Sequence, residues 1–523
     1  MNNLALTKAK ITHLVFLVCI VVFGIFVRIY PLLRADYPLV DGGMFYTMIR
    51  ELQASQFTLP LYTAYNLAQI PYAYPPLALY AAGLLNSFTG ISLLEILKWL
   101  PVVVNILIIP VFYIFVRRLL GKDPEAALAT LLFVLIPNSY RWQIVGGGLT
   151  RAFGALFFLL TAYCASRMYR EKKTAWIIFT ILAGSVTVLS HLEWALQAAA
   201  AGFLFWIFWG RNRRGVLMTT AVIAGVLLLT SPWWGTVIQR HGIGIFSNSA
   251  AVSPPPWFFW SPLLSMSFTL EPTVVIAVLA MLGFFIHLAR KDYLPAIWML
   301  LALMVDPRGG RPASVFPAAV LAMTALSRGI APQLLKVQPG SSTPGEWIDS
   351  IKTAVGRLFW GALTLLMLYN AYIHSNSLAN KFLGKEELNA MQWVGSHTSP
   401  EAKFLVLGWD KTWGYASLAE WFPALTGRRS INTAQGTEWL AGDQGALRQV
   451  RRYEQSYLCL YSDSSCLDEL TQDPQLQFDY VVLSSKVPGE SDRQSTLLVS
   501  LENSAKYQVV YSSPGVGIFK LGK

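Results

Sequence analysis

Lys8-Ala-Lys-Ile-Thr-His-Leu-Val-Phe-Leu-Val-Cys-Ile-Val-Val-Phe-Gly-Ile-Phe-Val-Arg-Ile-Tyr30 is the stretch that decides the fold class. Two lysines precede an apolar segment, Ile11–Tyr30. About 20 such residues cross the ~30 Å hydrocarbon core as a helix, whereas the apolar part of a secretory signal is roughly 7–15 residues long and ends at a small-residue cleavage site. This segment is too long and no such site follows, so it reads as a retained first transmembrane helix.

The pattern recurs down the chain. Further apolar runs lie at 93–116, 124–139, 149–168, 174–191, 194–209, 215–231, 268–288, 293–305, 312–327 and 354–373. The shorter ones need flanking residues or tilted packing to cross. Pro75–Phe88 is shorter still and reads as interfacial or re-entrant. Composition agrees: 54% of the 523 residues are hydrophobic and 13% charged, where soluble domains carry about a quarter charged residues. The net charge of +12 falls in short clusters between apolar runs. That distribution reads as topology signal and anionic-lipid contact, and it argues against a nucleic-acid binder, whose cations share one face.

Cytoplasmic loops are enriched in Lys and Arg, and this rule orients the runs. With a cytoplasmic N-terminus, alternation places on the inner side Lys8 and Lys10, then Arg117, Arg118 and Lys122, then Arg170, Lys172 and Lys173, then Arg211, Arg213 and Arg214, then Arg290 and Lys291, and finally Arg328. The outer side receives few cations, notably Arg141, Arg151, Arg308 and Arg311. Counting Pro75–Phe88 as a span inverts every later cluster. The expected fold is therefore an α-helical polytopic membrane bundle of about eleven transmembrane helices over 1–374, in the plasma or inner membrane, with its N-terminus cytoplasmic. A soluble extracytoplasmic α/β domain follows over 375–523, with strands near Phe404–Leu407, Tyr480–Leu483 and Tyr507–Tyr511 and helices near Lys385–Gly395 and Gly445–Gln455. It has no GxGxxG or P-loop motif.

Cys19 and Cys164 lie inside apolar runs and read as packing residues. Cys459 and Cys466 lie in the extracytoplasmic part, where an oxidising compartment allows a disulfide; the sequence leaves the pairing open. Two outer loops stand out, at 31–75 and at 235–263. The second contains Ser253-Pro-Pro-Pro-Trp-Phe-Phe-Trp260 and reads either as a lid or as an aromatic rim at headgroup level.

Polar residues near a bilayer are costly and mark function. The candidates share the outer side: Asp36 and Asp41 in Arg34-Ala-Asp-Tyr-Pro-Leu-Val-Asp-Gly-Gly-Met-Phe-Tyr46, Arg151 after Gly146-Gly-Gly-Leu-Thr150, His191 and Glu193 between spans five and six, and Asp306, Arg308 and Arg311 in Asp306-Pro-Arg-Gly-Gly-Arg-Pro312. Each has a plainer reading. Asp36 suits solvated surface, the glycines suit a helix start, and His191 and Glu193 suit a helix cap.

The Asp41 loop, followed by Tyr72-Ala-Tyr-Pro-Pro-Leu-Ala-Leu-Tyr80, resembles the GT-C superfamily of membrane glycosyltransferases. That superfamily includes protein O-mannosyltransferases, the aminoarabinose transferase acting on lipid A and the oligosaccharyltransferase catalytic subunit. The resemblance extends to Arg308–Pro317 and to the outer C-terminal domain. Asp41 matches the family's catalytic acid. Two departures stand beside it: Gly42 and Gly43 follow Asp41 where the family often has a second acid, and Gly146-Gly-Gly-Leu-Thr-Arg151 lacks the acid common in the second outer loop. Gly408-Trp-Asp-Lys-Thr-Trp-Gly-Tyr415 is loosely similar to the Trp-Trp-Asp motif of the oligosaccharyltransferase, with the match broken.

The resemblance implies a hexosyl or pentosyl donor on a polyprenyl phosphate, and a lipid, glycan or protein acceptor. Asp41 then serves as general base in an inverting displacement. Arg308 and Arg311, assisted by Arg151, hold the departing phosphate. His191, Glu193, Tyr74 and Trp257 contact sugar or acceptor. The two departures weigh against a divalent cation (Mg or Mn), for which Asp41 and Glu193 are the remaining candidate ligands, and no cofactor is expected with certainty. A polysaccharide polymerase or ligase is the nearer alternative. A secondary transporter is the alternative from another class, although the halves show no repeat and the charges gather at one face.

Overall fold

The computed structural model describes residues 2–251, 256–306, 310–335, 346–442, 445–484 and 495–522. Its helices are α1 Asn2–Leu33, α2 Gly43–Ala54, α3 Leu77–Thr89, α4 Leu93–Leu120, α5 Asp123–Leu135, α6 Gly148–Glu171, α7 Thr174–Ser190, α8 Leu192–Phe205 and α9 Arg213–His241. Then come α10 Gly244–Ala251, α11 Trp260–Leu264, α12 Val275–Ala289, α13 Leu294–Val305, α14 Gly310–Thr324, α15 Ala331–Leu334, α16 Glu346–Ser350 and α17 Ala354–Leu378. Among the described residues, seven helical stretches are long and apolar enough to cross a membrane: His13–Leu33, Leu93–Leu120, Gly148–Glu171, Leu192–Gly210, Arg213–His241, Gly310–Leu334 and Ala354–Leu378. The protein is a membrane protein. α7, α12 and α13 are apolar but shorter, and α3 forms a short helix where the sequence reads as re-entrant.

Packing explains the inside-out pattern of α1. Leu14, Val15, Val18, Val22 and Phe26 are exposed along it, while Ile20 and Val27 are buried. The exposed row is a lipid-facing stripe, and Cys19 belongs to it, contrary to the expectation that it packs inside. Cys164 is buried as expected. Arg28 lies wholly inside the bundle yet has its donors satisfied: Nε donates to Asn105 Oδ1 at 2.6 Å, Nη1 to the carbonyls of Gly24 and Val134, and Nη2 to Ser139 Oγ at 3.1 Å. A buried cation is tolerated only with such pairing. It ties α1 and α4 to the end of α5, fixing the turn from which the loop 140–147 leaves toward the site.

The loop expected over 235–263 is largely helical. α9 continues to His241 because Trp233 and Val237 are buried, Arg240 Nη1 donates to the carbonyls of Leu59 and Pro60, and the His241 ring lies 5.3 Å from that of Tyr62. α10 and α11 then follow. The apolar run ends near Ser231 in the sequence, so only tertiary contacts could reveal the longer helix.

Two small strands, β1 Tyr62–Thr63 and β2 Ile70–Pro71, pair in the first loop. After α17 come α18 Lys385–His397, β3 Lys403–Leu407, α19 Ser417–Thr426, β4 Arg429–Ser430, α20 Ala446–Leu458, β5 Tyr480–Ser484, β6 Tyr507–Ser512 and β7 Val516–Leu521. The sheet order is β4-β3-β5-β7-β6; β3 pairs in parallel with β4 and β5, and β7 is antiparallel to its neighbours. The central strands β3 and β5 are covered on both faces, which is why they read as continuous rather than alternating apolar runs. Cys459 and Cys466 form a disulfide with Cα atoms 5.6 Å apart.

Candidate active site

Asp41 follows Val40, whose φ is +60°. A β-branched residue seldom takes this left-handed conformation, and such strain persists where the surroundings over-determine it. Here Val40 is buried and its N–H donates to Lys381 O at 2.7 Å, while Leu39 O accepts from Gly146 N–H at 2.9 Å. Gly42, just beyond, has φ +134°, and a Cβ there would meet the Gly146 backbone at 3.2 Å. Only glycine meets both demands. The Asp41 carboxylate is therefore fixed in place and 4% exposed. Its Oδ1 accepts from Gly147 N–H at 2.8 Å, and its Oδ2 lies 3.5 Å from Arg151 Nη1.

The glycines before Thr150-Arg151 do more than start a helix. A Cβ on Gly146 would lie 1.9 Å from the Asp41 carbonyl oxygen, and one on Gly147 would lie 2.4 Å from Asp41 Oδ2. One on Gly148 would meet Gln143 O at 2.5 Å. Gly146 and Gly147 thus let this backbone close on Asp41, and Gly148 lets the turn close on Gln143. Arg151, half-buried in the first turn of α6, also sits 5.5 Å from the Trp142 ring centroid.

A second buried carboxylate escaped the sequence reading. Glu420 of α19 is 5% exposed, and its Oε2 and Oε1 accept from the N–H groups of Gly43 and Met44 at 2.9 and 3.2 Å. These are orphan donors at the start of α2, which has no side-chain cap of its own. Glu420 supplies the acceptors from a distant element. Gly43 permits the approach, since a Cβ there would lie 2.8 Å from Glu420 O. Tyr65 Oη donates to that same carbonyl at 2.6 Å. The available signal was an acid among Leu418, Ala419, Trp421 and Phe422, all buried.

Burial, and then the neighbouring Asp41 charge, push the Glu420 carboxyl up to about 8. The folded protein thus keeps a proton that the unfolded chain loses near 4.5. Stability from this group is full at low pH and is lost as pH rises toward about 8. The melting temperature, followed by tryptophan fluorescence, is expected to be lower at pH 8 than at pH 6, with a smaller difference in Glu420→Gln. An undiminished pH dependence in that variant would contradict this.

Tyr74 gathers the other side. Its ring centroid is 6.4 Å from His191, 4.9 Å from Phe45 and 5.8 Å from Trp439. Burial raises its hydroxyl to about 12 against the pull of Arg151, and Thr150, Glu438 and Glu193 also act on it. One turn beyond Arg151, Gly154 lets the α7–α8 junction pack closely: a Cβ there would meet the Trp194 ring at 2.6 Å and His191 Cβ at 2.7 Å. The structure thus brings together Asp41, Arg151, Tyr74, His191 and Glu193, and adds Glu420, Glu438 and Trp439 from the C-terminal part.

Other sequence candidates stand apart. Arg308 lies outside the described residues. Arg311 is half-buried in the first turn of α14, and among the described residues no hydrogen bond or ion pair joins it to Asp41. Trp257 is 64% exposed and packs edge-on against Phe258. Asp36 is exposed, as a solvated surface residue would be. Among the described residues no three or more His, Cys, Asp or Glu side chains gather to hold a metal ion. The oxygens of Asp41 are met by an N–H and a guanidinium, a donor environment that does not fit a divalent cation shared with Glu193.

Solved structures share this architecture. ArnT from Cupriavidus metallidurans in the apo state matches with a TM-score of 0.56 at 15% identity, over 98% of each chain. Its complex with undecaprenyl phosphate matches at 0.54 and 14%, over 97% of each chain. The archaeal oligosaccharyltransferase AglB from Archaeoglobus fulgidus, in complex with an inhibitory peptide and a dolichol-phosphate, matches at 0.50 and 13%, over 98% of this chain and 75% of that one. The arabinofuranosyltransferase AftD from Mycobacteria matches at 0.55 and 14%, over 97% of this chain and 40% of that one. No family model and no curated protein matches the sequence. The chain has the fold of the GT-C glycosyltransferases, the superfamily its first loop resembles.

Proposed function

We propose that the chain is a membrane glycosyltransferase that moves a hexosyl or pentosyl group from a polyprenyl-phosphate donor to an extracytoplasmic acceptor. The observation that carries this reading is the Asp41 carboxylate, buried and held between Gly147 and Arg151 in a fold shared with glycosyltransferases. In this reading the eleven apolar runs all cross, residues 1–374 form the catalytic module, and residues 375–523 form an extracytoplasmic domain that seals it.

Asp41 takes the proton from the acceptor hydroxyl as that oxygen attacks the anomeric carbon, a step worth roughly 10²–10⁴-fold. The polyprenyl phosphate leaves from the opposite face, giving inversion. A retaining route needs a second carboxylate as nucleophile. Glu420 is unsuited to that, because both its oxygens accept backbone N–H groups. The leaving phosphate needs charge stabilisation more than a proton, and Arg151, with Arg308 and Arg311, is proposed to supply it. Tyr74, His191 and Glu193 hold sugar or acceptor, and Trp257 meets the donor at the bilayer interface.

The test incubates purified full-length protein in lipid nanodiscs with a panel of polyprenyl-phosphate sugars and measures free polyprenyl phosphate. Release from at least one donor, dependent on Asp41, is expected. No release from any hexosyl or pentosyl donor would overturn the reading.

A further inference from the structure

Asp41 is held from both sides by residues that follow α17. On one side the Val40 N–H donates to Lys381 O at 2.7 Å. On the other, the N–H groups of Gly43 and Met44 donate to Glu420 Oε2 and Oε1 at 2.9 and 3.2 Å, and the Gly42 N–H acts on the same carboxyl. Only Asp41 and Gly42 lie between these anchors. A helix start ordinarily finds its acceptor in the side chain of the residue before it. Here that residue is Gly42, where even a Cβ would meet the Gly146 backbone at 3.2 Å. The glycine that lets residues 140–147 approach Asp41 therefore removes the local cap, and Glu420, 377 positions from Gly43, takes its place.

The element that carries Glu420 is itself fastened to the first loop. Trp421, the next residue of α19, is wholly buried, lies edge-on to Tyr37 with centroids 5.0 Å apart, and would meet a Cβ on Gly42 at 3.0 Å. Tyr65 Oη donates to Glu420 O at 2.6 Å. Just beyond α19, Asn66 Nδ2 donates to Ser430 O at 2.9 Å and accepts in return, through Oδ1, from Ser430 N–H at 2.7 Å. Glu420 therefore cannot drift with its own element. Both of its oxygens are taken up by backbone N–H groups, so the side chain reaches the reaction only through the residues it holds.

We propose that Glu420 is a positioning residue of the transfer reaction: by holding the start of α2 it sets where the Asp41 carboxylate points. The proposal rests on the transferase reading. A glutamine at 420 has one acceptor oxygen, so the N–H of Gly43 or Met44 faces an amide NH₂ and that backbone turns away. A catalytic group misplaced by about 1 Å loses on the order of 10²-fold, and a partial turn of this kind about tenfold.

The experiment follows donor-dependent release of polyprenyl phosphate by full-length protein in nanodiscs, below the melting temperature of every variant. It compares wild type, Glu420→Gln, Asp41→Asn and the double variant. Glu420→Gln is expected to lower kcat about tenfold with donor KM unchanged. In the Asp41→Asn background, where no base is left to misplace, the same substitution is expected to change the residual rate by less than about twofold. A cap that only stabilises the fold would lower the melting temperature and cost both backgrounds alike. Glu420→Asp, whose two oxygens sit one methylene short of the N–H groups, gives the same comparison should Glu420→Gln not fold. Wild-type kcat in a folded variant, or an equal loss in both backgrounds, would overturn the proposal and leave the transferase reading standing. No release by wild type from any donor would instead remove that reading, and the proposal with it.

Discussion

Asp41→Asn is expected to lower sugar transfer by about 10²–10⁴-fold while the protein still folds and still binds polyprenyl phosphate. The amide has nearly the shape of the carboxylate, and its oxygen can accept from Gly147 N–H as Oδ1 does now. What it lacks is basicity, so the acceptor hydroxyl keeps its proton as it attacks. The loss should fall on kcat, because an interaction made only in the transition state lowers kcat and kcat/KM together. The measurement is single-turnover release of lipid phosphate, with melting temperature and lipid-phosphate affinity as controls. Activity within twofold of wild type would remove Asp41 from the chemistry.

Gly147→Ala is expected to cost about 10²-fold in kcat without altering any charge. The backbone at Gly147 has φ −73° and ψ −2°, which alanine adopts readily. The only obstacle is the added methyl, 2.4 Å from Asp41 Oδ2 and 2.6 Å from its Cγ. Van der Waals contact requires more than 3 Å, so the carboxylate must shift by about 1 Å, and a misplacement of that size costs on the order of 10²-fold. Gly202→Ala is the control, since nothing lies within 4 Å of a Cβ there. Wild-type turnover in Gly147→Ala, with the methyl seen against an unmoved Asp41, would show that the carboxylate's position is not what matters.

Together the two variants separate what Asp41 is from where it is. Glu420 bears on the second question alone. It holds the start of α2 through Gly43 and Met44, directly after Asp41, and comes from the C-terminal part of the chain. The C-terminal part is thus built onto the start of α2, directly after Asp41.

The sequence by itself determined the membrane bundle, because an apolar run long enough to span lipid has few other uses, and it singled out Asp41 as an acid placed where acids are costly. It also located the strands Phe404–Leu407 and Tyr480–Leu483, whose uninterrupted apolar character follows from burial on both faces. It did not reveal the extension of α9 to His241, since those residues are held by contacts with the first loop and not by their own hydropathy. Nor did it show why Gly146 and Gly147 are glycines, or that Glu420 reaches the start of α2. Those are contacts between residues 106 and 377 positions apart. Local pattern reports which side of an element is buried; what that side touches is decided only when the chain is packed.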